Sequence, residues 1–325
     1  MVPVREIGVA VCGAATLLAL VGFSSGASAH NESQAVTMLG APLTLVQSTT
    51  ALSPPTLRFH RDGRLHAAWI EKNGVQGEVK TAAISADHSA VAQVSVNPPG
   101  AGPEAVHQSP GFAIGVDGEQ FVTWSSANKT PGALFASDLR LARLDSGGAR
   151  VQPPVQVNDD GLAISHTFEH VIAGNNGEIY LAWLDGRNKD RSGAGIMFAC
   201  SQDHGATVGK NLVLDGMACP CCRPMLAQAS DGSLWAAWRK TFEGNVRDIV
   251  VARSTDQGRT FSPPTVVSRD GWVFDACPHR GPSIAFDGQG RLYIGWYTEG
   301  KDEQPRLFIT TSDDQGATFS APVAL

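Results

Sequence analysis

PSIAFDGQGRLYIGW (282–296) decides the fold of this chain, because the phrase recurs. Proline, an apolar run, an Asp/Asn-Gly turn, a second apolar run and a tryptophan also make up PTLRFHRDGRLHAAW (55–69), PGFAIGVDGEQFVTW (110–124) and PMLAQASDGSLWAAW (224–238). EHVIAGNNGEIYLAW (169–183) follows the same pattern with Glu169 in the place of proline. Trp69, Trp124, Trp183, Trp238 and Trp296 thus return every ~55 to 60 residues, a period of propeller blades and longer than a solenoid unit. Asp and Gly tolerate positive φ, so Asp287-Gly288-Gln289-Gly290 predicts a hairpin turn between two strands, with the tryptophan of the second packed between neighbouring sheets. Third strands follow, as in Arg306 to Thr311 and Asp248 to Arg253, and fourth strands at PTVVS (264–268), PVQVN (154–158) and NLVLD (211–215). The expectation is an all-β propeller of four-stranded blades, with five repeats counted and five or six blades. PLTLVQ (42–47) or APVAL (321–325) is expected to close the ring by completing a blade from the other end.

Residues 1–29 predict a cleaved export signal: Arg5, an apolar run from Ile7 to Phe23, and the small residues Ala27-Ser28-Ala29 before His30. Residues 30–325 then form one domain of an exported protein, periplasmic or secreted, with no membrane segment after cleavage. His30, once exposed as the first residue, would offer an α-amino group and an imidazole as a Cu(II) chelate. The net charge of −6 and unclustered Lys and Arg argue against a nucleic-acid partner. The 35 glycines and 19 prolines fit many short strands joined by tight turns.

STDQGRTF (254–261) and SDDQGATF (312–319) both fit Ser-x-Asp-x-Gly-x-Thr-Phe; SQDHGATV (201–208) differs only in its last residue, and SADHSAVA (85–92) is a decayed copy. Each follows the third strand of a repeat. The motif resembles the Asp-box of the bacterial neuraminidase (BNR) repeat, found in sialidases and many other β-propellers, and the resemblance covers nearly all of the chain after residue 29. It implies a sialidase-like fold in which the boxes are structural turns. Asp203, Asp256 and Asp313 are read as turn residues, with Gly in a left-handed conformation.

In such a blade the Asp-Gly turns and Asp-boxes share one face, and the loops leading into each inner strand share the other. Three residues before the aligned proline lie Leu52, His107, His166, Cys221 and His279; two residues further back stand Cys219 and Cys277. The phrases are ACPCCRPM (218–225) and ACPHRGPS (276–283). A ring turns equal register into proximity. His107, His166, Cys219, Cys221, Cys222, Cys277 and His279 are therefore candidate ligands for copper or zinc near the axis. Two other readings stand beside this one. In an exported protein Cys219 and Cys277 could staple adjacent blades as a disulfide, with Cys200 free to meet any of the cluster, or the thiols could be redox-active.

The resemblance also implies a test of sialidase chemistry, which needs three arginines for the substrate carboxylate, a Tyr nucleophile assisted by Glu, and an Asp general acid. The Arg-Ile-Pro motif of that family is absent, and no general acid can be assigned. Arg223 and Arg280 stand on the loop face before Pro224 and Pro282, and Tyr297 with Glu299 is the best candidate pair. The primary expectation is a propeller without useful sialidase activity whose His/Cys cluster suits transition-metal binding or redox work, with a small anionic or metal ligand at the axis. An exo-glycosidase and a non-catalytic propeller that docks a protein partner are the alternatives.

Overall fold

The computed structural model describes residues 5–9, 43–72, 74–84, 93–103, 108–187 and 193–325. Among the described residues five antiparallel units, each built on four strands, follow one another; Ala51–Leu52 adds a fifth strand to the first, and the third and fourth join in one eight-stranded sheet. The first runs through Thr56–Phe59, Leu65–Lys72, Gly77–Ile84 and Val94–Ser95; the second through Gly111–Ile114, Gln120–Ala127, Ser137–Leu144 and Val155–Gln156. The third comprises His166–Ala173, Ile179–Asp185, Ala194–Ser201 and Leu212–Ala218. The fourth comprises Met225–Gln228, Leu234–Thr241, Arg247–Ser254 and Thr265–Val266, and the fifth Ser283–Phe286, Leu292–Thr298, Arg306–Ser312 and Val323–Ala324. The Pro-to-Trp phrases are the two inner strands of each unit, as the repeat predicts.

Each repeat tryptophan is buried, and from the second unit onward it packs against the preceding unit. Trp124 joins Ala68, Ile70 and Val79; Trp183 joins Leu139 and Leu141; Trp238 joins Ile196 and Phe198; Trp296 joins Trp235 and Val251. The indole N–H of Trp238 donates to Asp215 at 2.9 Å and that of Trp296 to Asp270 at 2.6 Å, so burial leaves no orphan donor there.

The three intact Asp-boxes share one geometry. In the fourth unit Ser254 Oγ donates to Asp256 Oδ1 (2.7 Å) and accepts from Gly258 N (2.8 Å), while Asp256 accepts from Thr260 N (2.9 Å) and Thr260 Oγ1 (2.6 Å). In the fifth unit Asp314 fills this role, through Ser312 and Thr318. The expectation for Asp313 is corrected accordingly: it sits one place early in the motif and pairs on the surface with Arg291 at 2.6 Å. SADHSAVA (85–92) lies outside the described residues.

The box glycines serve a second purpose. A Cβ on Gly258 would lie 2.5 Å from Phe198 Cζ, one on Gly316 2.6 Å from Trp235 Cζ3, and one on Gly205 3.3 Å from Phe121 Cε1. Every box thus presses bare backbone onto an aromatic ring of the preceding unit.

Strand register places the faces as expected. Gln228, Leu234 and Ser254 lie level at one end of the fourth unit, beside the Asp231-Gly232 turn and the Asp-box; Thr241 and Arg247 lie level at the other. Cys219 to Cys222 precede Met225 at that second end. Among the described residues neither terminal strand completes a unit from the other end. Val323–Ala324 completes its own unit, and Leu43–Ser48 pairs with Arg5–Val9. That pairing uses residues inside the predicted export signal, whose cleavage site and most of whose apolar run lie outside the described residues, as does His30.

Gly316 and Gly232 both have positive φ (78° and 82°), but a Cβ on Gly232 meets nothing within 4 Å. Gly232→Ala is expected to cost on the order of 1 kcal/mol, from left-handed backbone alone. Gly316→Ala adds the clash with Trp235 and should lower the urea midpoint clearly further; equal midpoints would show that the glycine–aromatic contact does not hold the units together.

Candidate functional site

Two loops from adjacent units build the site. The strand Leu212–Ala218 leaves the third unit and bridges to the fourth at Lys240, and Cys219 N then donates to Arg239 O at 2.9 Å. Cys219 is thereby fixed at the seam. A turn brings Cys222 N to Cys219 O (3.4 Å) and the sulfurs together: Cys219 Sγ lies 3.0 Å from Cys222 Sγ and 3.8 Å from Cys221 Sγ. All three are buried.

The second loop carries Cys277, His279, Arg280 and Gly281. A Cβ on Gly281 would fall 2.2 Å from Arg223 O, so the two loops meet backbone against backbone. His279 takes φ 51°, and its N–H donates to the Cys221 sulfur. The ligand atoms of Cys219, Cys221 and Cys222 lie within 4.8 Å of one another, and so do those of Cys221, Cys277 and His279. Cys277 and His279 are exposed, so the cluster runs from the core to the surface.

Five of the seven predicted ligands therefore come together. His166 does not. Its strand starts three residues before Glu169 and pairs His166 with Asp185, and the register breaks between Thr167 and His170. That bulge re-aims the chain, and the residue reaching the cysteines is Phe168 (φ 57°), packed on the three thiols with its ring 5.7 Å from the His279 ring. His166 is instead buried between Ser137 O (2.5 Å from Nδ1), Asp160 (3.3 Å from Nε2) and Asp185 (3.6 Å). His107 lies outside the described residues.

The disulfide staple is also corrected. Cys200, Cys219, Cys221, Cys222 and Cys277 are all free. Cys277 faces Cys221 and His279 rather than Cys219, and Cys200 is at the Asp-box end of its strand, next to Ser201. Burial pushes the Cys200 thiol up to about 12.

Two arginines surround the thiols. Arg247 Nη1 donates to Cys219 Sγ (3.4 Å) and to Ala276 O (2.9 Å). Arg239 is 1% exposed, stacks on Trp272 at 4.9 Å, and donates to Arg280 O, Arg247 O and Tyr297 O at 3.1, 2.9 and 2.6 Å. Hydrogen bonding with the Cys221 and Cys222 sulfurs, then the Cys221 backbone and the Arg247 charge, outweigh burial and hold the Cys219 thiol well below its ordinary range. Cys221 and Cys222 are pushed up, first by their bonds to Cys219. A cleft of about 750 Å³, lined in part by Lys240, Phe242, Asn245, Arg247 and Asp275, opens beside Arg247.

The glycosidase candidates split into two groups. Tyr297 Oη donates to Glu299 Oε1 at 2.5 Å, with the Arg280 charge acting on Tyr297. Arg223 belongs elsewhere: it donates to Ser109 O at 2.7 Å, and its charge acts on Arg58, Glu169 and His170. His170, Arg247 and Phe168 carry no sequence signal that singles them out as site residues, and Arg58 and Glu169 read from the sequence only as strand positions. A signal for Arg239 does exist in the sequence: it is the one charged residue directly after a repeat tryptophan, where Ile70, Ser125, Leu184 and Tyr297 stand in the other four phrases.

His170 accepts from Leu226 N at 3.0 Å through Nδ1, tying the third inner strand to the fourth. Burial, then the Arg58 and Arg223 charges, lower it to about 3. Unfolded histidine takes its proton near pH 6.5 and the folded one refuses it. Stability contributed by the neutral ring is therefore full above pH 6.5 and falls as the pH drops toward 3, by up to ~1.4 kcal/mol per pH unit. Urea midpoints at pH 7, 6 and 5 should fall less steeply in His170→Gln than in the native chain; parallel slopes would remove His170 from the account.

The BNR repeat-like domain family matches residues 177–324. A comparison with curated proteins finds no match. Among solved structures, a protein of unknown function from Dyadobacter fermentans aligns with TM-score 0.58 and 14% identity, over 85% of this chain and 83% of that one. An α-L-arabinanase from Penicillium chrysogenum aligns with TM-score 0.54 and 16% identity, over 85% and 84%. A Hadza microbial sialidase aligns with TM-score 0.47 and 15% identity over 79% of this chain, which spans 57% of the sialidase. With repeats, Asp-boxes and stacked four-stranded units in agreement, the chain has a sialidase-like β-propeller fold, and residues 177–324 match the BNR repeat-like domain family.

Proposed function

We propose that the protein is an exported propeller that binds a soft transition metal, Cu(I) foremost, through Cys219, Cys221, Cys222, Cys277 and His279. The carrying observation is that these donors gather in sets of three, each within 4.8 Å. Thiolate and imidazole donors select Cu(I) and Zn(II) among the common ions. A structural zinc site takes four ligands in a tetrahedron, and each set here supplies three, which favours Cu(I). The partly exposed arrangement suits holding an ion and passing it on. Export rests on the Ile7-to-Phe23 run and Ala27-Ser28-Ala29; intact mass of protein recovered from an expressing cell's exterior or periplasm should correspond to a start at His30, without the Arg5–Val9 strand.

The test is an anaerobic Cu(I) titration of the reduced chain against a chromogenic Cu(I) chelator. The native protein should withdraw copper from the chelator, and Cys219→Ser/Cys221→Ser/Cys222→Ser should not. Binding should also raise the unfolding free energy, by about 2.7 kcal/mol at free Cu(I) one hundred times Kd. Native protein that leaves the chelator's copper untouched ends the proposal.

The short Tyr297–Glu299 hydrogen bond favours a second reading, a glycosidase with a tyrosine nucleophile. The metal-binding reading expects no turnover of a fluorogenic sialoside. Turnover that disappears in Tyr297→Phe would favour the glycosidase instead.

A further inference from the structure

We infer that the cluster holds two Cu(I) ions bridged by the Cys221 thiolate, one ion among Cys219, Cys221 and Cys222 and the other among Cys221, Cys277 and His279. The inference rests on the metal-binding reading above and adds stoichiometry and geometry to it.

Distance is the first argument. Donors to one ion at ~2.3 Å cannot lie farther apart than about 4.6 Å. The five donors do not form one set at that scale; they form two sets of three, and Cys221 is the only member of both. One ion satisfies one set and strands the donors of the other.

Charge is the second. Arg239 and Arg247 are buried, and their hydrogen bonds go to carbonyls, to the Asn245 amide oxygen and to the Cys219 sulfur; the carboxylates of Asp270 and Asp248 act on Arg239 from beyond ion-pair distance. Buried cations require a compensating negative charge. Arg247 reaches Cys219 at 3.4 Å, and the Arg239 charge acts on Cys222 and Cys219. Three thiolates around one Cu(I) carry a net charge of about −2, which two guanidinium groups cancel. The second ion arrives with the Cys277 thiolate and the neutral His279 ring, so its addition changes no net charge. The two guanidinium groups therefore stand where they offset thiolate charge, and each thiol that becomes a ligand gives up its proton to solvent.

Access is the third. The inner set is buried and the outer pair exposed, so the outer ion meets solvent and partners first and the inner one exchanges only through Cys221. His279 is held for this by its left-handed backbone and its N–H bond to the Cys221 sulfur.

The experiment counts copper on the full reduced chain after anaerobic titration and desalting, and records X-ray absorption of the loaded protein. Two copper ions per chain with a copper–copper scattering path are expected. Cys277→Ser/His279→Ala, both on the exposed loop, should retain one ion and lose that path, with the urea midpoint of the apoprotein unchanged. One ion in the native chain, unaltered in the double variant, overturns the inference and leaves the metal-binding reading standing. Two ions without the scattering path overturn the bridge. No bound copper sinks the metal-binding reading itself.

Discussion

A four-stranded sheet has two faces and cannot bury either alone; in this chain each unit depends on its neighbour to cover one. Trp124, Trp183, Trp238 and Trp296 reach back into the preceding unit, and the glycines of the three intact Asp-boxes let backbone lie flat on Phe121, Phe198 and Trp235. At the inner strands, Thr56 Oγ1 donates to Pro110 O at 2.6 Å and Leu226 N donates to His170. These contacts set the spacing of the units. The loops before Met225 and Ser283 inherit it, which is why Gly281 ends against the Arg223 carbonyl and why Cys221 can belong to two donor sets.

The fold was legible because its determinants are local and repeated. Asp-Gly turns, a tryptophan at a fixed offset and Ser-x-Asp-x-Gly-x-Thr each act within a few residues, so they can be read without knowing what lies across the ring. Even the one slip, Asp313 for Asp314, was a matter of counting within a motif whose chemistry was right. The chain ends were less readable, since a terminal strand can pair with whichever edge is nearest.

The site was legible only where register survives. Cys219, Cys221, Cys277 and His279 keep the offset of their repeats and meet. His166 keeps the offset on paper, but its strand begins early and a bulge intervenes, so the position that faces the thiols passes to Phe168. The arginines were harder. Arg239 points into the seam from a strand that would ordinarily be read as core, and Arg247 opens a strand in another part of the unit. Only the fold brings both to the sulfur cluster.

Two groups of possible ligands, read by the same criterion, come out differently. Around Asp185, Arg187 already donates to both carboxylate oxygens at 2.9 Å, Trp183 Nε1 adds a bond at 3.0 Å, and His166 Nε2 lies 3.6 Å away. The Asp185 carboxylate is thus already paired from within, and an incoming metal would have to displace a bidentate guanidinium. That group is a latch. Around Cys219 the neighbours differ: two buried guanidinium groups, one of them also under the Asp270 and Asp248 charges, face three thiols, two of which hold their protons more tightly than usual. Removing those protons costs least when a cation takes their place and the resulting thiolates then neutralise both arginines.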